Sequence, residues 1–285
     1  MTRILARAPD HLGDGVLSLS AITALSPDAI VAPRWGTALY GHLSARILPT
    51  DAVLPAADVA VLFKPSWRAA WQLRHIPRRI GLSWDGRWPW LTDALPPGRR
   101  HRIDDYAALA TLAGHPPPDP APAWPTRSPA PPLPPDTVLL LPATASPLTV
   151  QWRGFRALAD ALGDRAVFTC GPGEEALIAA IAGPHRQLPP LSLPAFAAAA
   201  VAATAVVGND SGLTHLAAAA RRASAVPVTS VHVICASTDP YRTAAPGARW
   251  HMGPRPPCWP CYSKRCPFGA PCRDAELAPI LTALQ

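Results

Sequence analysis

No apolar run in this 285-residue sequence is long enough to cross a bilayer: the longest, residues 195–207, falls short of the roughly 20 residues a spanning helix needs. The first apolar run, Ile4-Leu5-Ala6, is too short for a signal-peptide core and meets Pro9-Asp10, so a cytoplasmic protein is expected. Charge is scarce as well. Charged residues make up 16% of the chain and hydrophobic ones 49%, which excludes a charge-extended disordered chain and predicts a folded one. Two catalytic fingerprints are missing. Gly13-Asp14-Gly15 is not the G-x-G-x-x-G of a dinucleotide fold, and Gly208-Asn209-Asp210-Ser211-Gly212 is not the G-x-S-x-G elbow of a hydrolase. A Ser211–His215 pair four residues apart on one helix also has poor nucleophile–base geometry. A nucleic-acid module lacks support, because the one cysteine array has no aromatic–basic interleaving beside it.

Proline is in excess, with 38 residues, and the formal charge of +7 favours anionic partners without choosing among them. Short apolar runs alternate with helical segments. Residues 3–8, 29–32, 59–63 and 78–82 read as strands in the first half, with helices over 16–25, 67–73 and 102–113. In the second half residues 137–142, 166–170 and 205–207 read as strands, with helices over 151–162, 191–203, 213 onward and 274–285. This alternation predicts an α/β chain with parallel sheets covered on both faces. The proline runs at 116–120 and 129–135 can be neither helix nor central strand. They divide the chain into a domain over 1–114, a stiff linker over 115–135 and a second domain over 136–285, with a ligand expected in the cleft between the two.

The stretch from Ala205 to Ala219 is a buried strand broken by Gly208-Asn209-Asp210-Ser211-Gly212 and followed by a helix. Such a corner leaves backbone N–H groups aimed at one spot that suits a phosphate, with His215 in the first turn. An ordinary capped helix would read the same way. Gly13 and Asp14 repeat the device after the first strand. A carboxylate there is stabilised by the helix dipole by about 0.3–1 kcal/mol, and capping alone is a sufficient reason for it. Arg68, Arg74, Arg78, Arg79, Arg87, Arg99, Arg100 and Arg102 make the first half basic. Singly each reads as solvated surface, and together they can hold an anionic acceptor.

Several of these motifs resemble the bacterial ADP-heptose transferases of glycosyltransferase family 9. Leu12-Gly13-Asp14 resembles that family's opening motif. Arg79-Ile80-Gly81-Leu82, His101 and Asp105-Tyr106 follow a weaker middle pattern, and Gly171-Pro172-Gly173-Glu174 resembles its ribose-side loop. Its most specific motif is matched by Asp210-Ser211-Gly212-Leu213-Thr214-His215, with Ser211 where Thr is usual. The resemblance implies a GT-B fold, two Rossmann-like domains around a cleft, and inverting transfer of heptose from ADP-heptose to a hydroxyl of the lipopolysaccharide inner core. A surface or autotransporter protein is the alternative acceptor, and a metal-stapled nucleotide-binding protein without transferase activity the alternative class. Asp14 would be the general base. Gly13, Thr144, Thr149, Gly171, Glu174, Asp210, Ser211, Gly212, Leu213, Thr214 and His215 would bind the donor, Glu174 through the ribose. The implied partners are an ADP-sugar donor and an anionic lipid-linked or protein acceptor, with peripheral contact at the inner membrane and no nucleic acid. No cofactor would be needed for catalysis. Where the family often has a phosphate-contacting Lys, this chain has Val150, leaving Thr144, Ser146, Thr149 and Arg153 as nearby substitutes.

Cys258, Cys261, Cys266 and Cys272 fall within fifteen residues and begin with C-x-x-C, a set that can surround one tetrahedral metal and staple a proline-rich loop. That set fits a structural metal such as zinc, the family resemblance adds iron as a candidate, and reduced packing thiols are the plain alternative. Cys170 and Cys235, on apolar strands, read as core.

Overall fold

In the computed structural model, which describes residues 2–285 except 84, 85, 87, 99, 117, 118, 120, 147 and 262, the apolar runs become buried parallel strands. Arg87, Arg99, Pro117, Pro118 and Pro120 thus lie outside the described residues. Two compact units result, Met1–Pro122 and Ala123–Gln285.

The first unit carries β1 (Ile4–Arg7), β2 (Ala29–Val31), β3 (Arg46–Leu48), β4 (Val59–Leu62), β5 (Arg78–Leu82) and β6 (Asp93–Leu95) in the order β3-β2-β1-β4-β5-β6, paired in parallel. Its helices are α1 (Leu12–Leu17), α2 (Leu19–Leu25), α3 (Gly36–Tyr40), α4 (Trp67–Gln72) and α5 (Arg102–Leu112). Every residue of β1 and β4 is buried, as expected of strands covered on both faces. Leu5, Ala60 and Leu62 pack there against Leu73, Ile76 and Leu91.

The second unit repeats the plan. It has β7 (Val138–Leu141), β8 (Ala166–Phe168), β9 (Arg186–Gln187), β10 (Ala205–Asn209), β11 (Val231–Cys235) and β12 (Arg249–Met252) in the order β12-β11-β10-β7-β8-β9, again parallel. Its helices are α6 (Phe155–Leu162), α7 (Glu175–Ala182), α8 (Leu193–Ala202), α9 (Gly212–Ala223), α10 (Pro240–Thr243) and α11 (Leu277–Ala283). Phe155, Leu158 and Leu162 of α6 meet Ile280 and Leu284 over Val138 and Phe168. Trp124, just after the proline run at 116–120, is buried and its N–H donates to Ala219 O at 3.0 Å.

Each sheet has one place where the strand order reverses. β1, β2 and β3 run outward one way and β4, β5 and β6 the other; β7 to β9 and β10 to β12 do the same. Loops at the carboxyl ends of β1 and β4, and of β7 and β10, therefore splay apart and open a crevice, the usual ligand position in such sheets.

Two helices differ from the sequence expectation. The helix expected over 16–25 starts at Leu12 and is interrupted at Ser18, whose hydroxyl donates to Gly15 O at 2.9 Å and bends the chain. Asp14 consequently sits inside the first turn, with His11 as the capping residue. The helix expected from Gln151 starts only at Phe155, because Trp152 is pulled inward: its N–H meets Asn209 Oδ1 at 2.9 Å and its indole donates to Ala275 O at 3.0 Å.

Candidate functional site

The second unit's crevice is built on the β10–α9 corner. Gly208 leaves room for it, since a Cβ there would collide with Thr214 Oγ1 and Leu141 Cβ. Thr214 is buried and its hydroxyl donates to Asn209 O at 2.7 Å, closing the corner. Asn209 ties it to the neighbouring loop after β7, accepting from Trp152 N and donating to Pro142 O at 2.7 Å. Ser211 occupies the cap position of α9, but its hydroxyl accepts nothing from the helix and lies 3.3 Å from Thr214 Oγ1. The first-turn N–H groups of Gly212, Leu213 and Thr214 thus keep their capacity to meet an anion.

Asp210 takes a different place from that expected of a ligand-binding residue. Its side chain is 4% exposed, with Oδ1 accepting from His215 Nε2 at 3.0 Å and Oδ2 from Thr243 Oγ1 at 2.7 Å. Burial pushes this carboxyl up, but the hydrogen bonds of His215, Thr243 and Thr238, with the His215 charge, outweigh it and hold the group below its ordinary range. An ionised Asp210 fixes the proton on His215 Nε2. His215 Nδ1 is buried and has no hydrogen-bond partner among the described residues.

The flanking loops divide. Thr144 is half-buried, and its hydroxyl makes one long contact, from Ser146 N at 3.5 Å. Thr149 is buried and donates to Ser263 O at 2.5 Å. Arg153, named as a substitute cation, pairs with both oxygens of Asp274 at 2.8 Å and donates to Gly269 O at 2.6 Å. Val150 is buried and gives the corner no charge. Glu174 turns back on its own loop, accepting from Gly171 N at 2.9 Å as α7 begins.

The cysteine loop is held by these same contacts. Arg273 donates to Gln151 O at 2.5 Å, and the Trp259 indole to Ala236 O at 2.8 Å. Cys258, Cys261, Cys266 and Cys272 line one cavity of about 10 Å³ together with Ser237, whose buried hydroxyl is unpaired among the described residues. Thiols suit a soft metal in kind. Their placement does not, because no group of three or more His, Cys, Asp or Glu among the described residues is arranged to hold an ion. Burial, reinforced by the neighbouring Cys261, Cys266 and Cys258, pushes the Cys272 thiol up. Arginine–carbonyl and arginine–aspartate contacts tie this loop to the rest of the unit.

In the first unit, Gly13 and the half-buried Asp14 lie in α1 at the carboxyl end of β1. Gly15 is needed beside them, since a Cβ there would approach the Trp35 ring to 2.5 Å. Tyr106 of α5, fully buried, donates its hydroxyl to Asp14 Oδ1 at 3.2 Å. Burial first, and then the Asp14 charge, hold the Tyr106 hydroxyl well above its usual range, so it stays a donor. Around the reversal of strand order, a cavity of about 330 Å³ is lined by Arg7, Asp10, Thr50, Ser66, Arg68 and Gln72. Arg7 is buried there; it binds Asp10 at 2.8 Å, and its Nε has no partner among the described residues. Lys64 reaches Asp10 at 2.6 Å. Sequence reasoning did not single out Asn209 or Thr243, or a role for Tyr106, since their partners are distant in the chain.

The family model for glycosyltransferase family 9 (heptosyltransferase) matches residues 54–270. The fold matches the E. coli ADP-heptose lps heptosyltransferase II at 20% identity, covering 88% of this chain and 90% of that one, with a TM-score of 0.65. E. coli heptosyltransferase WaaC with ADP matches at 17% identity, covering 87% and 92%, also at 0.65. The iron-containing dodecameric glycosyltransferase TibC from enterotoxigenic E. coli H10407 matches at 14% identity and 0.57, covering 92% of this chain and 64% of TibC. A search of curated sequences returned no match. Two parallel six-stranded sheets with this strand order are thus a GT-B architecture.

Proposed function

Starting from a chain that belongs to glycosyltransferase family 9, the heptosyltransferases, we propose that it transfers a heptose from ADP-heptose to a hydroxyl of a lipid-linked inner-core glycan with inversion. The observation that carries the donor half is the α9 N-terminus, with its uncapped N–H groups at the strand-order reversal. An ADP diphosphate brought there would receive backbone N–H groups from residues 212–214, and these bonds strengthen as the anomeric C–O bond breaks and charge builds on the leaving phosphate. Asp210 would not touch the donor. It would hold His215, and Thr243 would hold Asp210. Thr144 would add one donor from the β7 loop, while Gly171 and Glu174 would border the nucleoside.

Asp14 would take the proton from the acceptor hydroxyl as its oxygen attacks the anomeric carbon. A single displacement of this kind inverts the configuration. Tyr106 would orient the carboxylate by occupying one oxygen and leaving the other for the acceptor. The cavity, lined by Arg7 and Arg68 and also by Asp10 and Asp51, would take the acceptor, with Arg68 the lining arginine that has no ion pair among the described residues. The donor assignment is tested by thermal shift with ADP-heptose, ADP, and the corresponding UDP and GDP compounds. Stabilisation by the adenine compounds alone is expected. Equal response to all three bases overturns the donor, and transfer to a surface protein but not to inner-core glycan overturns the acceptor.

A further inference from the structure

The cysteine segment is the part of the second unit to which the proposed transfer gives no task. Its four thiols line one small cavity together with Ser237, Trp259 and Ala270. Their placement among the described residues does not suit an ion, but thiols that share a cavity can also react with one another. They differ in access. Cys258 and Cys261 are exposed, Cys266 is half-buried and Cys272 is 6% exposed. Cys272 packs with Ala236 and Ala270, and Trp259 and Cys266 lie against that patch. A small oxidant in solution therefore meets Cys261 and not Cys272, which can react only with a neighbouring thiol.

Both ends of the segment are fixed. Cys261 N donates to Ser237 O at 3.2 Å. At the other end Arg273 donates to Gln151 O, and Gly253 gives the Cys272 carbonyl room that a Cβ would fill. Between them, Ser263 O accepts from Thr149 and Gly269 O accepts from Arg153 at 2.6 Å. The loop after β7 thus rests on this segment, beside the β10–α9 corner. After burial, the charge of Cys261 raises the Cys272 thiol most and that of Cys258 least, which favours Cys261 as its partner.

We propose that Cys261 and Cys272 are an oxidisable dithiol, closing a disulfide across residues 262–271 that braces the loop on which Thr149 and Arg153 rest. The oxidant is a small-molecule disulfide such as oxidised glutathione. The Cys261 thiolate attacks one of its sulfurs, the S–S bond breaks and one small thiol leaves. Cys272 then gives up its proton and attacks the Cys261 sulfur, releasing the second small thiol. Two electrons pass from the cysteines to the small disulfide, and both protons end on the released thiols. In a reducing compartment the pair stays open, so the brace answers to oxidant. None of this depends on the donor or the acceptor.

The test treats the full chain with oxidised glutathione or with dithiothreitol, blocks free thiols with iodoacetamide and digests with trypsin, which cuts after Lys264 and Arg265. Without reduction, mass spectrometry is expected to find the peptide holding Cys261 linked to the one holding Cys272. The oxidised protein should melt about 3–8 °C above the reduced one, since the bridge constrains the unfolded chain. Cys258→Ser with Cys266→Ser should keep the link and the shift, whereas Cys261→Ser, at an exposed position, should abolish both. A link that survives Cys261→Ser, a bond between Cys258 and Cys261 instead, or glutathione adducts without a bridge each overturns the proposal. So does an unchanged melting temperature, or thiols that react only after a bound metal is stripped.

Discussion

Each unit places an aspartate where a helix follows a central strand beside the reversal of strand order, Asp14 inside the first turn of α1 and Asp210 just before the cap of α9, and their surroundings differ. Asp14 is half-buried and accepts one hydrogen bond among the described residues, from Tyr106. Asp210 is buried, with His215 on one oxygen and Thr243 on the other. A half-buried carboxylate with one oxygen open can take a proton from a substrate. A buried one with both oxygens already bonded orients its neighbours instead. One corner therefore keeps a carboxylate with room for a further partner, the base of the proposed reaction, and the other commits its carboxylate to holding an imidazole. Burial decides which.

Exchanging carboxylate for amide at each corner should separate the two roles. Asp14→Asn is expected to lower kcat by about 10²–10⁴-fold while the melting temperature stays near wild type, because the position carries little folding energy and most of the proton transfer. Near-normal turnover would remove Asp14 from that role. Asp210→Asn should instead destabilise the second unit by about 2–4 kcal/mol, as an amide cannot accept from both His215 and Thr243 without exposing a donor to one of them. Denaturant unfolding checks this, and a loss of turnover without loss of stability would show that Asp210 acts on the donor directly.

Acid should also distinguish the units. His232 Nδ1 lies 3.0 Å from His251 Nε2, with the rings stacked at 5.3 Å. Burial, then the His251 and Arg249 charges, lower His232 to about 4, and burial with Arg249 lowers His251 too. Between pH 6.5 and 4 the unfolded chain binds more protons than the folded one, so stability rises with pH across that window and is lost as pH falls through it. The expected loss is about 2 kcal/mol at pH 5. Calorimetry should show the second unit's transition moving down first, and His232→Gln should flatten that dependence; parallel shifts of both units would refute it. The smallest expected effect is that of Tyr106→Phe, about 1 kcal/mol of stability and several-fold in kcat. Equal kcat in both proteins would mean that Asp14 is oriented by its helix alone.

Much of the plan was legible along the chain because it is written in local signals. Full burial makes β4 and β7 continuous apolar runs and leaves β1 and β10 with one polar residue each, Arg7 and Asn209, while small residues mark both corners. The edge strands escaped. β9 is Arg186–Gln187, both exposed, and β6 is Asp93–Leu95, half-exposed, so neither has a hydrophobic period to detect. The partners of Thr149 and Arg153 escaped for the opposite reason. Thr149 and Arg153 stand near the corner in sequence, but folding turns both toward the cysteine loop, more than a hundred residues away.

By itself, then, the sequence determined the alternation of strand and helix, the two glycine-marked corners and the family, all of which depend on residue order and spacing. Tertiary structure alone decided which carboxylate remains accessible and which cation is already neutralised. Those properties depend on partners brought from distant positions and on the removal of water around them, and neither is encoded in any local window of the chain.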